Sequence, residues 1–261
     1  MRDSRTDVRA MRPGKATVAI RLLGWALLSS SLALVLAQKR EIHALEVLSD
    51  CARPQQGAPI YQGPGIDIES GLDWESLRAI NPDVAAWVRV EGTDIDLPVM
   101  APSDGDMSYY LQHDLWGNHA LAGVPFLDHR CQADDVHRLV YGHRLFLGGQ
   151  FSALQLAYRQ ETFEGIGSCW WSTPYCDTTR LAPFCALRCD AWFADIQRFD
   201  PQEGELESWL LWLAKCAEAT SADCESLAKA ARSVVTLVTC SSELSGQPWR
   251  TIVVFVEVSQ A

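Results

Sequence analysis

A chain of 261 residues, 48% hydrophobic and 21% charged, carries enough apolar material for one folded body with a terminal appendage. Its charge is split, with a net of +6 over residues 1–40 and −17 over the remainder. An acidic body repels phosphate backbones, which argues against nucleic acid as a partner.

Residues 1–15 form a basic tail. The apolar run 16–37, broken only by Arg21, is long enough to cross the ~30 Å hydrocarbon core as a helix. Arg21 lies one turn inside and snorkels back toward the headgroups. Basic residues concentrate before the run, which sets the N-terminus in the cytoplasm and the body outside. A cleaved signal peptide ending at Val35-Leu36-Ala37 is the alternative for this run, and it exports the body equally. The sequence thus predicts a single-pass protein of the cell membrane, held through its N-terminal helix. The tail is 1–15, the anchor 16–37, an extracytoplasmic helix and linker 38–70, and the folded domain 71–261.

Residues 38–50 continue the helix outward, and the Pro/Gly-rich stretch 51–67 reads as a linker. Residues 72–80 make a short amphipathic helix, stopped by Asn81-Pro82. The pattern then changes to short strands. The first two, 84–90 and 95–100, flank the turn Glu91-Gly92-Thr93-Asp94. Further strands are expected at 109–111, 123–127 and 138–141. A brief helix at 151–158 precedes strands at 169–172 and 181–196. Between 201 and 232 the period is helical, with Leu206, Leu210, Leu213 and Ala217 on one face. Two last strands, 234–239 and 251–258, enclose the polar loop 240–249. Many short strands with helices confined to the ends of the β region predict a mainly β protein, a closed or nearly closed barrel with a helical insertion. The pattern does not fix the order of the strands.

Nine cysteines in an exported body are candidates for disulfides. Nine is odd, so at least one stays unpaired within the chain. Eight structural cysteines and one catalytic thiol balance the count; several serving as small buried hydrophobes is the other reading. Cys216 and Cys224 flank a helix–helix turn and are within reach of each other. Cys169, Cys176, Cys185 and Cys189 are a candidate zinc set, though without the close Cys-x-x-Cys pairs such sites favour. No cofactor or metal requirement is visible.

The chemistry concentrates at strand ends. Cys240 closes the run Val234-Val235-Thr236-Leu237-Val238-Thr239, at the rim of the expected barrel. A nucleophilic thiol needs a proton partner. Of the six histidines, His143 alone follows an apolar strand and a glycine, Leu139-Val140-Tyr141-Gly142. Acyl transfer also needs a group for the developing oxyanion. Arg250 opens the last strand, and hairpin geometry brings it to the same end of the sheet as Cys240. Its guanidinium stays charged and offers forked donors.

Thr236-Leu237-Val238-Thr239-Cys240 resembles the TLxTC motif of sortases, and Tyr141-Gly142-His143 resembles their YGH. Asn81-Pro82-Asp83 through Pro98-Val99, Tyr110-Leu111 and Phe126-Leu127-Asp128-His129-Arg130 are similar to the family's segments before the histidine strand. The likeness covers roughly 70–260. The N-terminal helix and the helical insertion before the cysteine strand are similar to class B sortases. Val238 stands where class B members often have Ser, and Ser242 stands where several have an acidic residue. The resemblance implies an eight-stranded sortase β-barrel, with Cys240, His143 and Arg250 as catalytic residues and Thr239, Tyr110 and Leu111 as substrate-binding candidates. It implies a cysteine transpeptidase that cleaves a sorting signal in secreted proteins through a thioacyl-enzyme. The acceptor it implies is an amine of a cell wall precursor or a pilin. A hydrolytic cysteine protease and a non-catalytic disulfide-rich binding module are the rival readings.

Overall fold

A computed structural model describes residues 15–52, 71–102, 106, 108–201, 204–241 and 247–258. The chain begins with the long helix α1 (Lys15–Cys51) and the short helix α2 (Trp74–Ile80). Asp73 starts α2 by accepting the Ser76 N–H at 3.0 Å. The barrel strands are β1 (Val84–Val90), β2 (Asp96–Met100), β3 (Phe126–Leu127), β4 (His137–Tyr141), β5 (Cys169–Ser172), β6 (Thr179–Asp190), β8 (Ala231–Cys240) and β9 (Trp249–Val258). Outside the barrel lie α3 (Gln160–Phe163), α4 (Glu205–Cys216), the two-residue strand β7 (Ala219–Thr220) and α5 (Cys224–Ala230).

The sheet order is β5-β1-β2-β3-β4-β8-β9-β6-β7, and β5 also pairs with β6. That pairing closes an eight-stranded barrel, with β7 added at the rim. The expected mainly β fold, with N-terminal helices and a helical insertion before the cysteine strand, is the one observed. Two pairs are parallel, β2 with β3 and β4 with β8. Closure hides every long edge, so few backbone groups on these apolar strands face water unpaired. Pro183 lies within β6, where it has no N–H to give. The register between β6 and β9 shifts between Pro183 and Cys185, a bulge that accommodates it.

The core gathers the inward residues of these strands, including Val88, Leu139, Phe184, Leu237 and Phe255, all buried. A second cluster, with Leu72, Trp74, Leu77, Trp87, Tyr110 and Phe126, seats α2 and the end of α1 against the barrel.

Several local expectations change. Residues 109–111 form a 3-10 turn, not a strand. Asp106 accepts hydrogen bonds from the Ser108 N–H at 2.9 Å and the Ser108 hydroxyl at 2.6 Å, and this side-chain turn bends the chain just before it. The expected strand at 181–196 ends at Asp190, and a 3-10 turn follows at Ala194–Ile196. The helix expected at 151–158 is a single 3-10 turn, Ser152–Leu154.

Among the described residues no helix is long and apolar enough to cross a membrane. The single-pass anchor expected over 16–37, and membrane attachment through it, is not supported. The tail 1–14 and the side chains at 16–19, 21 and 22 lie outside the described residues, as does most of the expected linker.

Candidate active site

Three strands deliver the three residues singled out in the sequence. Cys240 ends β8 and Arg250 opens β9. They are direct partners in the antiparallel ladder, so both side chains leave the same face of the sheet. The Ser241 N–H donates to the Trp249 carbonyl at 3.1 Å and holds the loop closed beside them. Residues 242–246, with Ser242, lie outside the described residues.

His143 arrives by a different route. Strand β4 runs parallel to β8, from His137 beside Val234 to Tyr141 beside Val238. The Gly142 N–H adds one more rung, to the Val238 carbonyl at 3.0 Å. The ladder stops there: His143 stands two residues past the end of β4, and Cys240 is the last residue of β8. Gly142 is required at this point, because a Cβ there would lie 2.5 Å from the Phe151 ring. Phe151 is wholly buried and occupies the space a side chain at 142 would need.

The imidazole is half-buried, and its Nε2 lies 2.9 Å from the Leu111 carbonyl. A carbonyl only accepts, so this contact assigns a proton to Nε2. In the neutral ring Nδ1 then carries the lone pair. The guanidinium of Arg250 donates from Nη1 to the carbonyls of Gln247 at 3.0 Å and Trp249 at 3.1 Å. Its own hairpin thus orients it, and it keeps further donors for a ligand.

Arg250 is also the ladder partner of Cys189 on β6. Cys189, Arg250 and Cys240 therefore form a row across three adjacent strands. Beside the row lies a small cavity lined by Tyr141, Cys189, Phe193, Val238, Arg250 and Ile252. Tyr141 forms one wall, and its hydroxyl donates to Asp128 at 3.1 Å. Asp128 is fully buried and takes both prongs of Arg130, each at 2.8 Å. Burial pushes the Asp128 carboxyl up, but the hydrogen bonds and charge of Arg130 outweigh it and hold the group below its ordinary range. The Phe126–Arg130 segment thus fixes the back of the cavity.

The remaining candidates stand elsewhere. Thr239 is buried, pairs with Thr251 and faces the opposite side of β8 from Cys240. Its hydroxyl has no hydrogen-bond partner among the described residues. Tyr110 is buried in the second core cluster, where its hydroxyl donates to Asp83 at 2.8 Å. Burial, followed by the Asp83 contact, pushes that phenol up. Leu111 is partly exposed and meets His143 through its carbonyl. One residue was not anticipated: Gln150, whose side-chain oxygen accepts the His143 N–H at 3.0 Å.

Eight cysteines are described, Cys131, Cys169, Cys176, Cys185, Cys189, Cys216, Cys224 and Cys240, and all are free thiols. The disulfide framework, including a Cys216–Cys224 bridge, is not formed among them. Four of them, Cys131, Cys169, Cys185 and Cys189, are buried and act as small apolar fillers. Burial pushes the Cys131 thiol up to about 11 and the Cys169 thiol to about 12. Cys240, by contrast, is only half-buried. The four-cysteine zinc set is not assembled either: among the described residues no group of three or more His, Cys, Asp or Glu could hold a metal ion.

No protein-family model matches the chain. Over 81 residues it is 33% identical to sortase B of Listeria monocytogenes, covering 30% of this chain and 32% of that protein. Over 94 residues it is 29% identical to sortase B of Staphylococcus aureus, covering 35% of this chain and 37% of that protein. The match thus spans about a third of the length of these curated relatives. Among solved structures, the Staphylococcus aureus sortase B–substrate complex superposes with a TM-score of 0.70 at 23% identity, covering 87% of this chain and all of that one. Sortase B complexed with triglycine gives 0.68 at 22% identity over 85% of this chain and 99% of that one. Clostridium perfringens sortase B gives 0.60 at 24% over 71% and 99%. At these identities the structural likeness shows the fold.

Proposed function

We propose that this class B sortase-like chain is a cysteine transpeptidase, with Cys240 as nucleophile, His143 as acid/base and Arg250 as oxyanion stabiliser. One observation supports the reading most: Cys240 and Arg250 are direct ladder partners, on the strand β8 that pairs in parallel with the strand preceding His143.

In the first half-reaction the Cys240 thiolate attacks a backbone carbonyl carbon of an exported protein. A C–S bond forms, and Arg250 donates to the oxygen that gains charge. The tetrahedral species collapses, the C–N bond breaks, and protonated His143 gives its proton to the leaving nitrogen. In the second half an amine attacks the thioester carbon. A new C–N bond forms, the C–S bond breaks, and His143 recovers a proton from the amine. Thiolate and imidazolium end as they began.

The substrate class is a sorting signal on a secreted protein, and the acceptor is an amine of a cell wall precursor or a pilin. The neighbours solved with a substrate and with triglycine support these two kinds of ligand. Such substrates put the reaction outside the cytoplasm. The cavity beside Tyr141, Val238 and Arg250 is the proposed acyl-side pocket. Leu111, whose carbonyl meets His143, is the proposed substrate contact on the histidine side. The cleanest test compares peptide cleavage with and without added triglycine. A transpeptidase yields a peptide joined to triglycine, at a rate that rises with triglycine. Hydrolysed peptide alone, at an unchanged rate, contradicts the reading in favour of a hydrolytic protease.

A further inference from the structure

The contacts of His143 lead outward to helix α1. The His143 N–H donates to the Gln150 side-chain oxygen at 3.0 Å, and the His143 carbonyl accepts the Phe151 N–H at 3.2 Å. Its Nε2 meets the Leu111 carbonyl. The first two partners close the turn after His143, and the third lies on the loop before β3. These are separate segments, yet one side chain ties them together. The Gln150 amide nitrogen donates to the carbonyl of Ala122 and to that of Gly123, the latter at 2.7 Å. The amide therefore spends its oxygen on His143 and its protons on the loop.

Gln150 is 3% exposed and has φ +46°, in the left-handed region. A non-glycine residue there costs on the order of 1–3 kcal/mol and persists where its surroundings hold it. Three hydrogen bonds from one buried amide do that. The loop it grips is tightly seated: a Cβ on Gly123 would lie 2.3 Å from the Tyr110 carbonyl, and the Val124 N–H donates to that carbonyl at 3.0 Å. A shift of Gly123 therefore shifts the Tyr110-Leu111 turn, and with it the oxygen that orients the imidazole.

Helix α1 holds the same loop from the other side. The Glu41 carboxylate accepts the Leu121 N–H at 3.3 Å and the Ala122 N–H at 2.8 Å. Ala122 is thus bonded to Glu41 through its nitrogen and to Gln150 through its oxygen. Ile42 lies against Gly149, where an added Cβ would come within 3.3 Å of it. Leu45 and Leu48 already dock the helix by burial. Even so, a cavity of about 180 Å³ remains between helix and barrel, lined by Leu45, Ser49, Asp96, Leu97 and Gln150 among others. Glu41 adds little to that burial; its bonds go to the loop that sets the histidine.

We propose that Glu41 and Gln150 are positioning residues for His143, so that docking of α1 sets the acid/base geometry of the site. The proposal rests on the acyl-transfer reading above for its role in catalysis. Its geometric core, the link from Glu41 to the His143 ring, is testable without it.

The test uses the full chain with Glu41→Ala, Glu41→Gln and Gln150→Leu. Iodoacetamide is the probe, because it reads the Cys240–His143 pair without a peptide. Histidine ring NMR and the thermal midpoint are followed in parallel. Glu41→Ala moves the His143 ring resonances, and alkylation of Cys240 at pH 7 slows, by up to the ~10²-fold that a 1 Å misplacement of a reacting group costs. The thermal midpoint changes little. Glu41→Gln, which keeps one oxygen acceptor, recovers part of the rate, and Gln150→Leu loses more. With a cleavable peptide, kcat falls and KM holds. Unchanged ring resonances and alkylation in Glu41→Ala overturn the proposal, and so does a loss that only tracks unfolding. If the wild type transfers no acyl group to any amine, the transpeptidase reading fails separately, and the NMR and alkylation results still decide this one.

Discussion

Cys240 and Arg250 face each other across the last two strands, the final rung of the β8–β9 ladder. Their alignment is a property of the sheet and not of a loop, so the β8–β9 ladder itself holds thiol and guanidinium side by side. Removing the guanidinium should therefore damage chemistry far more than folding. Arg250→Ala is expected to lower kcat/KM by about 10²–10³ with little change in thermal midpoint. Arg250→Lys keeps the charge but not the fork, and should recover only a small part. Near-wild-type turnover in the lysine variant would mean that charge alone suffices.

Thr239 belongs to the same motif as Cys240 yet faces the other way, with a buried hydroxyl that has no hydrogen-bond partner among the described residues. An unsatisfied buried group costs about 1–3 kcal/mol. Thr239→Val keeps the shape and removes that cost. The variant should melt at or above the wild-type temperature and keep its turnover. A large loss of activity at unchanged stability would give the hydroxyl a role with substrate.

Gly142 and Phe151 are packed too closely for any side chain at 142. Gly142→Ala should destabilise by about 1–3 kcal/mol, as overpacking does, and misplace His143. Phe151→Leu makes room, so the double variant should recover activity relative to Gly142→Ala. Additive losses would show that the clash is relieved in some other way.

His137 provides a pH signature. It is buried between the Arg198 carbonyl and the Thr236 hydroxyl, at 2.7 Å and 2.9 Å. Burial pushes its imidazole down to about 4, against an ordinary value near ~6.5. Between those values the unfolded chain binds a proton that the folded chain refuses. Stability from this group is thus intact above pH ~6.5, falls as the pH drops toward 4, and levels off below, for a total on the order of 3 kcal/mol. Unfolding free energies measured between pH 4 and 7 should show this slope in the wild type. His137→Phe should flatten it, whatever its effect on absolute stability. An equal slope in both proteins would assign the proton elsewhere.

The parts of the fold legible in the sequence were those that neighbours in the chain determine. The alternation from Val84 to Val90 and the run from Val234 to Thr239 match β1 and β8. Tyr141-Gly142-His143 marks a strand end because the glycine and histidine follow directly on its apolar residues. Strand order was not legible: the parallel pairing of β4 with β8 joins residues about a hundred positions apart. The 3-10 turn at Tyr109–Leu111 hides behind strand-forming residues, because Asp106 and Ser108 decide it. The cysteine count suggested disulfides, whereas Cys169 and Cys185 fill the barrel as small apolar side chains. Gln150 gave no signal, since a glutamine's value here depends on a left-handed turn and a loop 27 residues away.

The central claim is that Cys240 carries an acyl group which an amine removes. Mass spectrometry of the intact full chain, incubated with a panel of sorting-signal peptides, tests this most directly, with Cys240→Ala as control. The account predicts an added mass on Cys240 that equals the acyl part of one peptide, is absent from the alanine variant, and disappears on addition of triglycine as the ligated product forms. No adduct with any peptide, together with a Cys240 found oxidised in the native protein, would contradict it.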